Sequence, residues 1–283
     1  MEPGLEGAVA HCATELRRHD RDRYLVSLFA PDPERRALFA LYAFNLEISK
    51  IRESVSEPML GEIRLQWWRD ALDGIKAGAP RQHTVVLALS AAVGRHDLSI
   101  DRMGRIIDSR AFDLEDRQPA NLEELTAYAG DSSGELACLA LEVLGVRDPP
   151  AMAAGHAVGV AWALVGLIRA VPFHATQRRC YLPESVTAEA GLHMGALYEG
   201  APGAALVPVV AEIARAAADA LDRAEAALPT VPRAGHPALL GRHLTRMDLR
   251  RLARAGYDPF SLKPAGPLRG QLRLMLGNWG LAR

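Results

Sequence analysis

Along most of the chain, apolar residues return every three or four positions, the period of a helix with one buried face. Alternation of apolar and polar residues around an Asn-Gly or Asp-Gly pair, the mark of a hairpin, does not occur. Leu41, Phe44, Ile48, Ile51 and Val55 carry the helical pattern in one segment. Asp32-Pro33-Glu34 precedes it as a helix start, with a capping acid, proline in the first helical position and an acid in the first turn. Pro58 ends this helix, and a second runs from about Leu60 to Ile75, stopped by Gly74 and Gly78. Further helices are expected near 84–95, 99–115, 121–144, 151–170, 205–228 and 236–254. Their breaks carry Gly or Pro, as in Asp148-Pro149-Pro150, Gly200-Ala201-Pro202-Gly203 and Pro229-Thr230-Val231-Pro232. No repeat, composition shift or long polar linker divides the chain. The expectation is an all-α fold in a single domain over 1–283, with its core over about 20–260 and a basic amphipathic segment at 261–283.

Three apolar faces call for a partner. Leu60, Ile63 and Trp67 share one helix face, which predicts core. Gly155, Gly159, Ala163, Gly166 and Ala170 form a stripe of small residues that lets another helix, or a ligand chain, approach the backbone; tight helix packing is the simpler reading. Near the end of the chain Leu268, Leu272, Met275, Leu276 and Trp279 form an apolar stripe flanked by Arg269 and Arg273. It suits docking onto the rest of the domain, or a membrane surface.

Composition narrows the class. Of 283 residues, 49% are apolar and 24% charged, and the formal net charge is −1. That supports a sizeable core and no global field for nucleic acid. Cys12, Cys138 and Cys180 are widely spaced and odd in number, which argues against a disulfide framework or a zinc site and fits a reducing compartment. The longest apolar stretch, Ala157 to Ile168, is interrupted by Gly159 and Gly166 and ends at Arg169, so a buried core helix is expected and no membrane span. Met1 to Ala10 contains two glutamates and no basic-then-apolar pattern, so neither a secretory signal nor a mitochondrial leader is expected. The expected location is cytoplasmic.

Two segments carry candidate chemistry. In the first, positions 49 and 53 lie one turn apart on one face. Carboxylates at that spacing hold Mg²⁺, which takes hard oxygen ligands and substrate phosphates and stabilises the charge of a departing diphosphate. This chain has Ser49, Lys50 and Glu53 there. In the second, an apolar helix ends at Arg169, followed by Ala170, Pro172, His174, Arg178, Arg179 and then Tyr181-Leu182-Pro183. Arg169, Arg178 and Arg179 suit a diphosphate or an acidic headgroup, since guanidinium forks match phosphate oxygens. The other reading pairs Arg169 with Glu47 or Glu53 and leaves Arg178 and Arg179 solvated. Tyr181 packs or hydrogen-bonds in the wall. Glu47 and Glu53 are the remaining oxygen ligands for a metal, but pairing of Glu47 with Lys50 is the simpler expectation. Two Mg²⁺ ions beside Lys50, Arg52 and Arg169 are disfavoured by repulsion, so no metal site is expected.

Both segments resemble the squalene/phytoene synthase superfamily. Tyr42-Ala43-Phe44 matches the frame that runs into its first aspartate-rich motif, and the second segment matches Arg-Asp-x-x-x-Asp followed by Gly-Arg-x-Tyr-Leu-Pro, with Ala170 and His174 at the aspartates. Within the superfamily the chain is most similar to a non-catalytic branch, the mitochondrial complex I assembly factor 6 family and its bacterial relatives. The matching residues are Ala43, Phe44, Asn45 and Glu47; Ser54, Val55, Ser56, Gly61, Arg64, Gln66 and Trp68; Ile168, Arg169, Ala170, Pro172 and His174; and Asp113-Leu114-Glu115-Asp116. The resemblance implies an isoprenoid-synthase-like helical bundle around a central cavity, and a role in assembling or stabilising respiratory complex I. The partners it implies are complex I subunits, an isoprenoid or lipid ligand, and peripheral contact with the inner membrane. The alternative is a head-to-head prenyltransferase with a degenerate site. It would use Mg²⁺ on Glu47 and Glu53 and hold a prenyl diphosphate with Arg52, Arg169, Arg178, Arg179 and Tyr181.

Overall fold

The structure, a computed structural model, describes residues 3–115, 117–262 and 267–278. The described residues are helical and contain no strand. In chain order the first half holds α1 (Pro3–His19), α2 (Arg21–Ser27), α3 (Glu34–Ser49), α4 (Pro58–Lys76), α5 (Thr84–His96), α6 (Ile100–Ser109), α7 (Leu122–Ala129) and α8 (Glu135–Val143). The second half holds α9 (Pro149–Thr176), α10 (Glu184–Glu189), α11 (Met194–Tyr198), α12 (Leu206–Ala227), α13 (His236–Leu239), α14 (Gly241–Arg254) and α15 (Pro267–Asn278).

Helix α9 is the spine of two cores. Its first turns place Ala151, Ala154 and Val158 among residues of α1, α3, α5, α6 and α8. Its later turns place Leu164, Ile168, Val171 and Ala175 against α7, α12 and Leu252 of α14. The start of α9 is built from Asp148, whose carboxylate accepts from the Ala151 N–H at 3.1 Å, with Pro149 and Pro150 in the first turn, where a missing N–H costs nothing. By length and composition α9 is apolar enough to cross a membrane, and 56% of the qualifying window is buried inside the fold, as a core helix is. The helix also runs through Pro172, where the sequence predicts an end near residue 170. Proline withholds one N–H and so frees the carbonyl of Ile168.

The small-residue stripe divides. At Gly159 an added Cβ would lie 2.1 Å from the Ser133 carbonyl oxygen, and at Gly155 it would lie 2.5 Å from the Leu141 side chain. Gly166 has nothing within 4 Å. The lower stripe therefore serves close helix packing. What it receives is a π-helical turn, Gly130–Gly134, that splits the predicted 121–144 helix in two. The His156 ring sits against Gly130 and Gly134, and a Cβ at Gly134 would lie 2.7 Å from it. Between α2, α3, α8 and α9 a void of about 30 Å³ remains, lined by Arg23, Tyr42, Ser133, Gly159 and Trp162. The Arg23 guanidinium fills this space, 5.8 Å from the Tyr42 ring and 5.2 Å from Trp162. The void holds a water or two and is far below the roughly 300 Å³ at which ligand pockets begin.

Other local expectations change. Pro33, not Asp32, occupies the cap of α3 and makes no side-chain cap bond, while an Asp32 carboxylate oxygen lies 3.7 Å from Arg35. Helix α3 stops at Ser49, and Pro58 opens α4 instead of ending α3. Leu60 and Ile63, expected in the core, are 44% and 59% exposed. Helix α15 docks on α2 and α14: Leu274 is buried, and Gly277 lies against the His243 ring, while Met275 and Leu276 face outward. Asp116, Lys263, Trp279 and the side chains of Leu268, Arg269 and Leu272 lie outside the described residues.

Candidate functional site

The end of α9 and the loop after it form one wall of a cleft of about 540 Å³. The chain reverses there because the N–H groups of Gln177 and Arg179 both donate to the His174 carbonyl at 3.0 Å, and that of Arg178 donates to the Ala175 carbonyl at 3.0 Å. Arg178 takes the left-handed conformation this reversal needs, with φ 54°, at the position where the family pattern has glycine. Among the described residues, four guanidinium groups, of Arg52, Arg117, Arg178 and Arg179, line the cleft with two carboxylates, of Glu115 and Glu184. Arg178 stacks 5.3 Å from the Tyr198 ring, and Arg117 is held by Glu115 and, at 2.8 Å, by Glu124. By charge and by donor geometry such a cleft suits an anion.

Beneath it lies a buried polar network centred on Asp113, which is 5% exposed. One carboxylate oxygen accepts from the Tyr128 hydroxyl at 2.8 Å and from the Tyr181 hydroxyl at 2.9 Å. The other accepts from Arg110 at 3.3 Å, and Arg110 also donates to the Tyr128 hydroxyl at 2.7 Å. Arg179 donates to the Tyr181 hydroxyl at 2.8 Å and to the Asp113 backbone carbonyl. Burial, reinforced by the Asp113 charge, pushes the Tyr181 hydroxyl above its ordinary range; Tyr128 rises mainly through burial, and Arg110 is held charged by Tyr128 and Asp113. The network fixes the Arg179 fork at the cleft floor. Asp113 is legible as a matched motif residue, but Arg110, Tyr128, Arg117, Gln118 and Tyr198 carry no sequence signal beyond the Arg110–Asp113 spacing of three.

The structure gathers some of the sequence candidates and separates others. Arg52, Arg178, Arg179 and Tyr181 share the cleft. Arg169 does not: it pairs at 2.8 Å with Asp248 of α14, which Arg251 also holds at 2.7 Å, and not with Glu47 or Glu53. The reason is facing, since Arg169 leaves α9 on the side packed by α14. Glu47 is exposed and lines a different pocket, and it forms no ion pair with Lys50. Glu53 is exposed on the short turn after α3. The Ser49 hydroxyl donates to the Leu46 carbonyl at 3.0 Å, closing the helix end. Ala170 and His174 are half-buried on the last turns of α9. Of the acid positions Ser49, Lys50, Glu53, Ala170 and His174, one offers a carboxylate, so the donor set does not fit a pair of Mg²⁺ ions. No cluster of metal-ligating side chains occurs among the described residues.

The His174 and Tyr181 rings pack at a tilt of 48°, with centroids 4.7 Å apart. Burial first, then the Arg179 charge, pushes its pKa from 6.5 down to about 4, against the opposing pull of Asp113. His243, under Gly277, is likewise pushed to about 4 by burial and by Arg242 and Arg273. Between pH 6.5 and 4 the unfolded chain therefore binds protons that the native state refuses, and stability falls as pH drops through that window. The expected slope approaches about 1.4 kcal/mol per pH unit for each histidine. Urea midpoints at pH 7 and pH 5 check it. His174→Gln should remove one share of the loss, and an unchanged slope would refute the assignment.

A sequence model of squalene/phytoene synthases matches residues 16–277. The chain belongs to the squalene/phytoene synthase family. Complex I assembly factor 6 of Mus musculus is 33% identical over 258 residues, covering 91% of this chain and 78% of that protein. Among solved structures, a dehydrosqualene synthase in complex with a ligand superposes with a TM-score of 0.86 at 18% identity, covering 98% and 96% of the two chains. A squalene synthase from Alicyclobacillus acidocaldarius gives 0.81 at 19% identity, covering 92% and 98%. These two likenesses establish the fold. The resemblance read from the motifs thus extends to nearly the whole chain.

Proposed function

We propose that this protein is a non-catalytic family member that assists the assembly of respiratory complex I. The observation that carries the reading is the match to complex I assembly factor 6 at 33% identity over 91% of the chain. Support comes from the acid positions, where Ser49, Lys50, Ala170 and His174 replace the carboxylates that metal-dependent transfer needs. On this reading the protein works in the cytoplasm beside the inner membrane face, and the arginine cleft takes an acidic group of a lipid or a subunit without metal.

Deletion of the gene tests the proposal. Complex I, measured by native gel and by NADH–quinone oxidoreductase activity, is expected to fall at least fivefold and to return with a plasmid copy. Unchanged complex I in the deletion strain would refute it. Restoring carboxylates by Ser49→Asp, Ala170→Asp and His174→Asp together is expected to yield a folded protein with no Mg²⁺-dependent diphosphate binding by calorimetry. Binding in that variant would mean that the carboxylates alone had been missing.

A further inference from the structure

Three residues that carry the resemblance to the assembly-factor branch take no part in the arginine cleft, and they meet elsewhere. Glu47 near the end of α3, and Arg64 and Trp68 on α4, line a surface pocket of about 250 Å³ with Trp67 and His83. Its wall is rigid. Trp68 is 4% exposed and packs edge-on to Phe44 of the core at 5.3 Å, while Trp67 packs edge-on to Trp68 at 5.1 Å and to His83 at 5.3 Å. The Trp67 ring receives the Arg81 guanidinium at 5.2 Å, a cation–π contact made within the chain.

Outside the pocket, helix α4 exposes Met59, Leu60 and Ile63 at 68%, 44% and 59%. Positions 59, 63 and 67 follow one another at a spacing of four, so this apolar stripe leads directly into the pocket. Large exposed side chains gathered on one helix face mark an interaction surface. The surrounding charge gives the sign of its partner. Around the stripe Glu47, Glu53, Glu57 and Glu62 are exposed against Lys50 and Arg64, while Arg52 lines the arginine cleft; within the pocket Glu47 is the one carboxylate, beside Arg64, which donates to the Ser54 hydroxyl at 2.6 Å. An anionic lipid surface finds no excess of cations in this set.

We infer that the Met59–Ile63–Trp67 face of α4 docks a protein segment that presents an apolar helical side and a basic anchor residue. The anchor, an arginine or lysine, enters the pocket between the Glu47 carboxylate and the Trp67 ring. The apolar side covers Met59, Leu60 and Ile63, and the outer carboxylates steer the approach. This rests on the assembly reading and adds to it the surface by which a subunit is held.

The test uses the full chain in cells whose own copy has been deleted. Ile63→Asp and Glu47→Lys are expected to fold with unchanged thermal midpoints, because both positions are exposed, yet to lower complex I at least fivefold; Glu47→Asp is expected to restore it. A photoreactive benzoylphenylalanine at position 59 is expected to cross-link to a protein segment that is apolar and basic. Leu60→Ser serves as a milder probe should Ile63→Asp lose its fold. Normal complex I with the folded variants, while the deletion strain lacks it, would overturn the docking surface and leave the assembly reading intact. Normal complex I in the deletion strain would refute the assembly reading instead, and the cross-link then decides the surface alone. Adducts with lipid only, or none, overturn the surface in either case.

Discussion

Gly159→Ala is expected to remove a large share of the stability of the fold. The new methyl would lie 2.1 Å from the Ser133 carbonyl oxygen, 2.6 Å from its carbon and 2.7 Å from the Gly134 Cα. These are backbone atoms of the π-helical turn, and no side-chain rotation relieves the clash. Helix α9 would have to move off the turn, opening both cores it supports. A loss of about 3 kcal/mol or more is expected, against a total of roughly 5–15 kcal/mol for a typical domain. The control is Gly166→Ala, seven residues along the same stripe, where nothing lies within 4 Å. There alanine is expected to gain about 0.5–1 kcal/mol through helix propensity. Thermal and urea unfolding of the pair checks the contrast, and equal stabilities would show that the helix and turn do not approach as closely as described.

The second large effect is expected at Asp113. Asp113→Ala leaves the buried Arg110 guanidinium without its carboxylate and strips an acceptor from the Tyr128 and Tyr181 hydroxyls. Removing one partner of a buried ion pair costs about 3–5 kcal/mol, which corresponds to a fall of roughly 10 °C in the thermal midpoint. The loss should also loosen Arg179, which donates to the Asp113 backbone and to Tyr181. A double variant, Arg110→Met with Asp113→Leu, is expected to recover much of the stability but not the shape of the cleft. If Asp113→Ala alone melted within about 2 °C of the parent, the network would not be holding the site.

How much of this was legible in the sequence depends on the residue. Helices announce themselves by period, so α4, α5 and α12 lie close to their predicted bounds, while the helix expected at 236–254 breaks at Leu240 into α13 and α14. What escaped are features set by tertiary contact. Nothing local says that Gly130 and Gly134 would admit the His156 ring and widen a helical turn. Pro172 reads as a stop, yet the packing of Val171 and Ala175 carries α9 onward to Thr176. Leu60 and Ile63 have the period of a core face, and period cannot say whether a partner lies inside the same chain. The candidate site divides in the same manner. Arg178, Arg179 and Tyr181 are contiguous in sequence and arrive together. Arg169 and Glu47 depend on which way their helices face, and they point to Asp248 and to the α4 pocket.

Turnover by the purified protein is the most direct test of the claim that the fold persists here without metal-dependent chemistry. Farnesyl and geranylgeranyl diphosphate would be supplied with Mg²⁺ or Mn²⁺, and diphosphate release and head-to-head product followed together. No release above a Glu53→Ala control, in a sample that melts cooperatively, is the predicted result. Metal-dependent release that the Glu53→Ala change abolishes would contradict it and return the chain to the enzymes of its family.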